Sequence, residues 1–394
     1  MDCKEINVSF ATDKYECMLV SMLSMIRNSS ASSSYNIFVL AADNLAGEQE
    51  ARIRDVISHY SNVNLKFFYV EKEMPDVEMS IPWITMPTYY RLLIPRLLAD
   101  YDKCLYLDTD IIVKGDIREL YDVDIEGNMV AAVKAPSYHV RSKEAIAEHC
   151  DILQINSIDQ YINAGVLLMN LKMMREEEFT DKGLKLIRER YPSQDQDIVN
   201  KLCYGKILHI PLRFNLMTKY FGKDAEALSS CFSSKEIYNA LDAPLIIHYA
   251  DRKKPWRDLS TPYSIDWWDE CVKSNMRKEM HTFNMCMIIR NSLKPEALDQ
   301  IKRVYIYGAG LVGRRVCEYL ITNGYGSKIC SFCSTTGNSE NVYGFLVKKV
   351  DDLIIRNGDM VLLAAKGNLR SEMKNKCTSL GIEEVIEIDA YDDI

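Results

Sequence analysis

Residues 6–11 (INVSFA) alternate apolar and polar positions at the two-residue period of a strand, and residues 16–28 (ECMLVSMLSMIRN) change to the spacing of an amphipathic helix. After a polar break over 29–34, a second strand is predicted at 35–41, a helix at 46–59 and a third strand at 64–70. Strands alternating with helices predict a parallel α/β sheet. Residues 85–94 (TMPTYYRLLI) predict a helix carrying Arg91, and Leu105-Tyr106-Leu107 predicts a buried strand. A further buried strand is predicted over 161–171, entered through Asn163 and Gly165, followed by a charged helix over 172–190. Residues 193–198 (SQDQDI) suit a helix N-terminus capped by acids. His248 closes an apolar strand, and 257–298 reads as a terminal helix and connector.

Near Ile301 the pattern restarts. It predicts strands at 304–307, 329–332, 359–365 and 384–388, a helix after a glycine turn, and helices at 351–356 and 368–380. The expected organisation is therefore one domain over 1–265, a helical connector over 266–300 and a smaller α/β domain over 301–394.

With 394 residues, 47% hydrophobic and 26% charged, the chain has the composition of a globular protein with room for two cores. A formal net charge of −8 argues against bulk binding to nucleic acid or to an anionic membrane. No apolar run reaches the roughly 18–20 residues that span a bilayer. The start, MDCKEI, has neither the basic stretch nor the apolar segment of an export signal, so a cytoplasmic location is expected. The twelve cysteines are then expected to be reduced, and Cys330-Ser-Phe-Cys333 has no second pair with which to bind zinc.

The candidate chemistry centres on Asp108-Thr109-Asp110, where the apolar strand stops. In an extended backbone residues two apart point to the same side, so both carboxylates can converge on a hard cation, Mg²⁺ or Mn²⁺. Three other Asp-x-Asp pairs occur, at 100/102, 122/124 and 195/197, but none follows an uninterrupted apolar strand. Taken alone, such a pair is more often a solvated strand end. Thr12, Asp13 and Asp108 all fall at the carboxyl ends of predicted parallel strands, where such sheets bind ligands. Arg252, Lys253 and Lys254 follow His248, as a phosphate site would require.

Taken in order, the stretches FATDKY (10–15), TYYRL (88–92), DKCLYLDTDIIVKGDI (102–117), YINAGVLLMNL (161–171), QDQD (194–197), RFN (213–215) and HYADRKKPW (248–256) resemble glycosyltransferase family 8 over roughly residues 5–270. The resemblance is nearest to bacterial lipopolysaccharide and lipooligosaccharide galactosyl- and glucosyltransferases. It implies a GT-A nucleotide-diphospho-sugar transferase fold and metal-dependent, retaining transfer of galactose or glucose from a UDP-sugar to a saccharide or glycolipid acceptor. Peripheral membrane contact is compatible with such an acceptor. By resemblance Asp108, Asp110 and His248 would hold Mn²⁺ or Mg²⁺. Ala11, Asp13 and Tyr15 would face uridine beside Thr12, and Lys254 the diphosphate. Arg91, Asn163, Ala164 and Asp195 would face the donor hexose, with Gln196 beneath the anomeric carbon. Two positions depart from the family pattern. Asp251 stands where a glycine commonly approaches the phosphates, and Ala135-Pro136 replaces an acid often found there.

Gly308-Ala309-Gly310-Leu311-Val312-Gly313 follows a strand and opens a helix, the context of a dinucleotide fingerprint. This part resembles small Rossmann-like domains attached to bacterial sugar-processing proteins. The acid that would bind ribose is missing, since the second strand ends in SFCSTT (331–336), and NAD is not expected. A different nucleotide-like ligand or a docking role is expected instead. Two competing functions are an NAD-dependent sugar-nucleotide oxidoreductase, weakened by the lack of a Tyr-x-x-x-Lys relay, and a non-catalytic sugar-nucleotide binder.

Overall fold

Among the described residues, ten strands build the first part of the chain: β1 (Lys4–Thr12), β2 (Ser33–Ala41), β3 (Val63–Tyr69), β4 (Lys103–Leu107), β5 (Ile111–Val113), β6 (Val130–Ala132), β7 (Val166–Asn170), β8 (Ile207–His209), β9 (Leu216–Met217) and β10 (Ile246–His248). The structure, a computed structural model, describes residues 4–388 apart from 31, 78, 80–84, 222–224, 259, 294 and 338–340. By its internal contacts the chain divides into two compact units. One is Met1–Pro255 with Ser260–Met276, the other Trp256–Leu259 with Arg277–Ile394.

In the first unit a seven-stranded sheet has the order β3-β2-β1-β4-β7-β6-β8. The first four are parallel, as the strand–helix alternation predicts. β7 then runs antiparallel to β4, with Lys103 opposite Asn170 and Leu107 opposite Val166. That reversal shapes the site, because the carboxyl end of β4 meets the start of β7 and the Asp108 amide donates to the Gly165 carbonyl at 2.8 Å. Both faces of β4 are covered. Cys104 and Tyr106 join one core cluster, while Leu105 and Leu107 on the other face are equally buried, which is why the strand reads as a continuous apolar run.

A second sheet of three short strands, β5-β10-β9, pairs β10 antiparallel with β5 and parallel with β9. His248 thereby comes opposite Ile111, next to Asp110, and the Tyr249 amide donates to the Asp110 carbonyl at 2.9 Å. The helix Tyr15–Arg27 secures this corner. Its Ser21 Oγ lies 2.7 Å from the carbonyls of both Thr109 and Ile111.

Several boundaries differ from the sequence reading. Arg91 lies on a 3-10 stretch, Met86–Leu93, that becomes α-helical only over Ile94–Leu97; Pro87 and Pro95 each lack an amide donor. The charged helix over 172–190 is broken into Leu171–Glu176, Phe179–Leu186 and a 3-10 turn, with Glu178 left-handed at φ 56° between the first two. The strand over 161–171 shortens to β7 because residues 161–165 turn into the site.

The second unit holds β11 (Arg303–Tyr307), β12 (Ile329–Ser334), β13 (Asn341–Val342), β14 (Phe345–Lys349), β15 (Asp359–Leu363) and β16 (Val385–Glu387). They form one sheet in the order β13-β14-β12-β11-β15-β16, parallel except for the β13–β14 pair. Helices Leu311–Thr322 and Gly367–Ser379 follow β11 and β15. The helix expected at 351–356 is a single 3-10 turn, Val350–Asp352, and β13 and β14 escaped the sequence reading because only Val342 and Val347 are buried in them. Among the described residues ten cysteines are free, and no helix is long and apolar enough to cross a membrane.

Candidate active site

Asp108 and Asp110 leave the carboxyl end of β4 on one side and meet His248 at the end of β10. Their ligand atoms and that of His248 lie within 4.8 Å of one another, the one such group among the described residues. His248 Nε2 is 3.3 Å from Asp110 Oδ1 and 3.7 Å from Asp108 Oδ2. Lys254 Nζ donates to Asp110 Oδ2 at 2.5 Å and to the Tyr249 carbonyl at 2.6 Å, which fixes an ammonium at the rim of the cluster. Burial works against the charge on Asp110, yet Lys254 and then His248 outweigh it and hold the carboxyl below the ordinary carboxylate range.

The other oxygen of Asp108, Oδ1, is committed elsewhere. Tyr106 donates its hydroxyl to it at 2.6 Å and Arg91 Nη2 donates at 2.9 Å. Arg91 is itself buried, with its guanidinium 4.4 Å above the Tyr106 ring. It also pairs through Nε with Asp195 Oδ2 at 3.1 Å and donates to the Ala164 carbonyl. Thr88 Oγ1 donates to Asp195 Oδ1 at 2.5 Å, so both oxygens of that carboxylate are engaged. Burial nevertheless dominates and raises the Asp195 carboxyl to about 6 against the pull of Arg91 and Thr88.

Gln196 occupies the first turn of the helix Gln194–Cys203. Its Oε1 accepts from Asn163 Nδ2 at 3.1 Å and from the Ala164 amide at 3.2 Å, and its Nε2 donates to the Tyr161 hydroxyl at 3.2 Å. The acid that caps this helix is Asp197, which accepts from the Ser193 amide at 2.6 Å and from Tyr161 at 2.5 Å. Asp195 is turned instead to Arg91 and Thr88. Asn200 fastens the helix to the site by accepting from the Ile162 amide and donating to the Ile162 carbonyl.

At the end of β1, Ala11 and Thr12 are buried, and Asp13 and Tyr15 are half-buried where the helix Tyr15–Arg27 begins. The Lys14 amide donates to Thr12 Oγ1 at 2.9 Å, which turns the chain at the strand end. β1 and β4 are parallel neighbours, so this turn and Asp108 open at the same edge of the sheet. Asp251 is exposed and accepts from the Arg252 amide at 2.6 Å. Its φ is not positive, so no glycine is needed for the backbone there. Ala135 is buried, and its amide donates to the Tyr161 carbonyl at 3.0 Å.

In the second unit, Gly308 has φ +118°, and a Cβ there would meet the Ala364 carbonyl oxygen at 2.5 Å. A Cβ on Gly313 would meet the Gly308 carbonyl oxygen at 1.7 Å, whereas one on Gly310 would meet nothing within 4 Å. Internal packing thus accounts for the first and third glycines of the turn.

Three features of the site were not singled out from sequence. Tyr106 appeared only as an apolar strand residue, although its two-residue spacing from Asp108 already put both on one side. Asn215 appeared only within RFN, yet its Oδ1 lies 2.9 Å from His248 Nδ1 and its Nδ2 donates to Asn163 Oδ1 at 2.8 Å. Gly165 was noted as a strand entry. A Cβ there would stand 2.2 Å from His248 Cε1 and 2.7 Å from Asp108 Oδ2, so the metal-type cluster closes over a position that only glycine leaves open.

The chain is also similar to known proteins. The sequence model described as "Glycosyl transferase family 8" matches residues 7–260. "General stress protein A" of Bacillus subtilis is 26% identical over 271 residues, which is 66% of this chain and 91% of that one. "Lipopolysaccharide 1,3-galactosyltransferase" of Salmonella typhimurium is 24% identical over 285 residues, 70% of this chain and 79% of its own. The solved structure of the galactosyltransferase LgtC, with donor and acceptor sugar analogs, aligns with a TM-score of 0.57 at 23% identity. It covers 68% of this chain and 96% of its own, a likeness of fold.

Proposed function

Because the chain belongs to glycosyl transferase family 8, we propose that it transfers a hexose, galactose or glucose, from a UDP-sugar to a saccharide or glycolipid acceptor with retention of configuration. A divalent cation, Mn²⁺ or Mg²⁺, would be held by Asp108, Asp110 and His248. The observation that carries this reading is that cluster itself. Two carboxylates and an imidazole nitrogen converge over a glycine, a donor set that suits a hard or borderline divalent ion. When bound, the cation would supply Lewis-acid neutralisation of the diphosphate as UDP departs.

The side chains around the cluster have separable tasks. Lys254, fixed at the rim by Asp110 and Tyr249, adds positive charge beside a departing UDP, so no proton has to be transferred to it. Arg91 ties Asp108 to Asp195 and keeps both carboxylates oriented. The Gln196 carboxamide is a poor nucleophile, and its oxygen already accepts two hydrogen bonds. Asp195, the carboxylate candidate for a covalent intermediate, has both oxygens engaged and is buried. These engagements favour attack by the acceptor on the same face from which UDP leaves. The turn at Ala11, Thr12, Asp13 and Tyr15 is the proposed seat of the uridine.

A thermal-shift screen tests the reading. UDP-galactose or UDP-glucose together with Mn²⁺ should raise the melting temperature, and NAD should not. A shift with NAD and none with any UDP-sugar would reverse the assignment in favour of an oxidoreductase.

A further inference from the structure

His248 reaches Gln196 through two asparagine side chains, and backbone geometry fixes the direction of every link. A backbone amide can only donate. The Gly165 amide lies 3.0 Å from one atom of the Asn163 carboxamide, so that atom is the oxygen and the other end is the NH₂. The Ala164 amide does the same for Gln196, identifying Oε1 as the atom that faces Asn163 Nδ2. The Asn163 oxygen must then receive a donor from Asn215, so the NH₂ of Asn215 points to Asn163 and its oxygen points to His248. An oxygen facing Nδ1 accepts a hydrogen bond from an N–H there. His248 therefore carries a proton on Nδ1, so Nε2, which faces Asp108 and Asp110, is the nitrogen whose lone pair a bound cation would take.

The chain runs in one direction: His248 Nδ1–H to Asn215, Asn215 NH₂ to Asn163, Asn163 NH₂ to Gln196, Gln196 NH₂ to Tyr161, and the Tyr161 hydroxyl to Asp197. Asn215, Asn163, Tyr161, Asp197 and His248 are buried, so water does not compete for the links from His248 to Asn163 or from Tyr161 to Asp197, while Gln196 between them is half-buried. A flip of any one amide would leave a buried donor facing a donor or an acceptor facing an acceptor. We propose that Asn215 is a positioning residue that couples the cation site to Gln196. It fixes the ring nitrogen that His248 presents to the cation and, through Asn163, the orientation of the Gln196 carboxamide. The proposal rests on the metal-dependent reading given above.

Two substitutions separate the two halves of the role. Asn215→Ala removes both links. Asn215→Asp keeps an acceptor for His248 Nδ1–H but sets a carboxylate oxygen against the Asn163 oxygen. Mn²⁺ affinity is read without donor from the electron paramagnetic resonance signal of free Mn²⁺, and UDP-sugar hydrolysis is followed in parallel. Asn215→Ala should bind Mn²⁺ roughly 10- to 100-fold more weakly than the parent. Asn215→Asp should bind Mn²⁺ at least as well as the parent, while kcat falls about tenfold or more.

Parent affinity for Mn²⁺ in a folded Asn215→Ala protein would overturn the proposal, as would parent kcat in Asn215→Asp. A parent protein that binds no Mn²⁺ would instead overturn the underlying metal reading. A third measurement needs no substitution. The ¹⁵N shifts of His248 in labelled protein with Mg²⁺ should report a protonated Nδ1, and an unprotonated Nδ1 would refute the relay.

Discussion

Gly165→Ala adds one methyl group at the point where the cluster closes. The new carbon would lie 2.2 Å from His248 Cε1, 2.7 Å from Asp108 Oδ2 and 3.0 Å from His248 Nδ1, all well inside contact distance. The neighbours have little room to yield. His248 is held by Asn215 at 2.9 Å, and Asp108 by Tyr106 at 2.6 Å and Arg91 at 2.9 Å. The glycine cannot withdraw easily either, because its carbonyl accepts from the Asp108 amide at 2.8 Å. Its φ is not positive, so alanine suits the backbone and the lesion is steric. Overpacking of this kind costs about 1–3 kcal/mol. If that strain is released by displacing His248 or Asp108, Mn²⁺ affinity should fall roughly 5- to 150-fold, with hydrolysis falling alongside.

Gly183→Ala is the matched control. Its Cβ would meet Leu92 at an ordinary 3.5 Å within the helix Phe179–Leu186, where alanine typically gains about 0.5–1 kcal/mol over glycine. It should keep or raise the melting temperature and leave Mn²⁺ affinity unchanged. The assay is a Mn²⁺ titration of the two variants and the parent, each checked for folding by circular dichroism. Parent-like Mn²⁺ affinity in Gly165→Ala would refute the reasoning, because the cluster would then not depend on the space below it.

Three further outcomes follow from the same geometry. The Asp195 carboxyl is raised from 3.8 to about 6, so its contribution to stability is full below about pH 3.8 and is lost as pH rises through about 6. The melting temperature of the metal-free parent, measured relative to Asp195→Asn, should therefore fall between pH 4 and 7, and a flat difference would contradict the burial argument. An α-configured donor should give an α-linked product in the proton NMR spectrum of the early reaction mixture, with measurable transfer surviving in Asp195→Asn; a β-linkage or a trapped Asp195 adduct would reject same-face attack. A chain ending at Met276, the boundary of the first compact unit, should fold and hydrolyse its UDP-sugar with Mn²⁺. Complete loss of hydrolysis in that folded chain would mean that the second unit belongs to the active site.

Much of this was legible in the sequence wherever one residue type at one period carries the message. The β1–β3 run, the buried strand before Asp108 and the strand before His248 all follow from apolar periodicity, and their ends place the three proposed ligands. What stayed hidden depends on pairing between distant segments. The antiparallel insertion of β7 beside β4 leaves no periodic trace, yet it brings Gly165 beneath Asp108 and His248. Asn215 follows a short 3-10 turn, and nothing local shows that β9 will lie beside β10. Asp195 and Asp197 looked alike in QDQD, but one caps its helix and the other pairs with Arg91, a division set by which neighbour faces each. The broken helix after 171 turns on Glu178 in a left-handed conformation, which residue type does not announce.

The central claim is that Asp108, Asp110 and His248 hold the cation on which sugar transfer depends, and Asp110→Ala tests it most directly. Asp110 lies at a loop beyond a strand end rather than in the core, so the variant should still fold, as circular dichroism can check. UDP-sugar hydrolysis by the parent should stop on chelation and return with Mn²⁺, whereas Asp110→Ala should stay inactive whether or not Mn²⁺ is added. Full, Mn²⁺-dependent hydrolysis by Asp110→Ala would contradict the account.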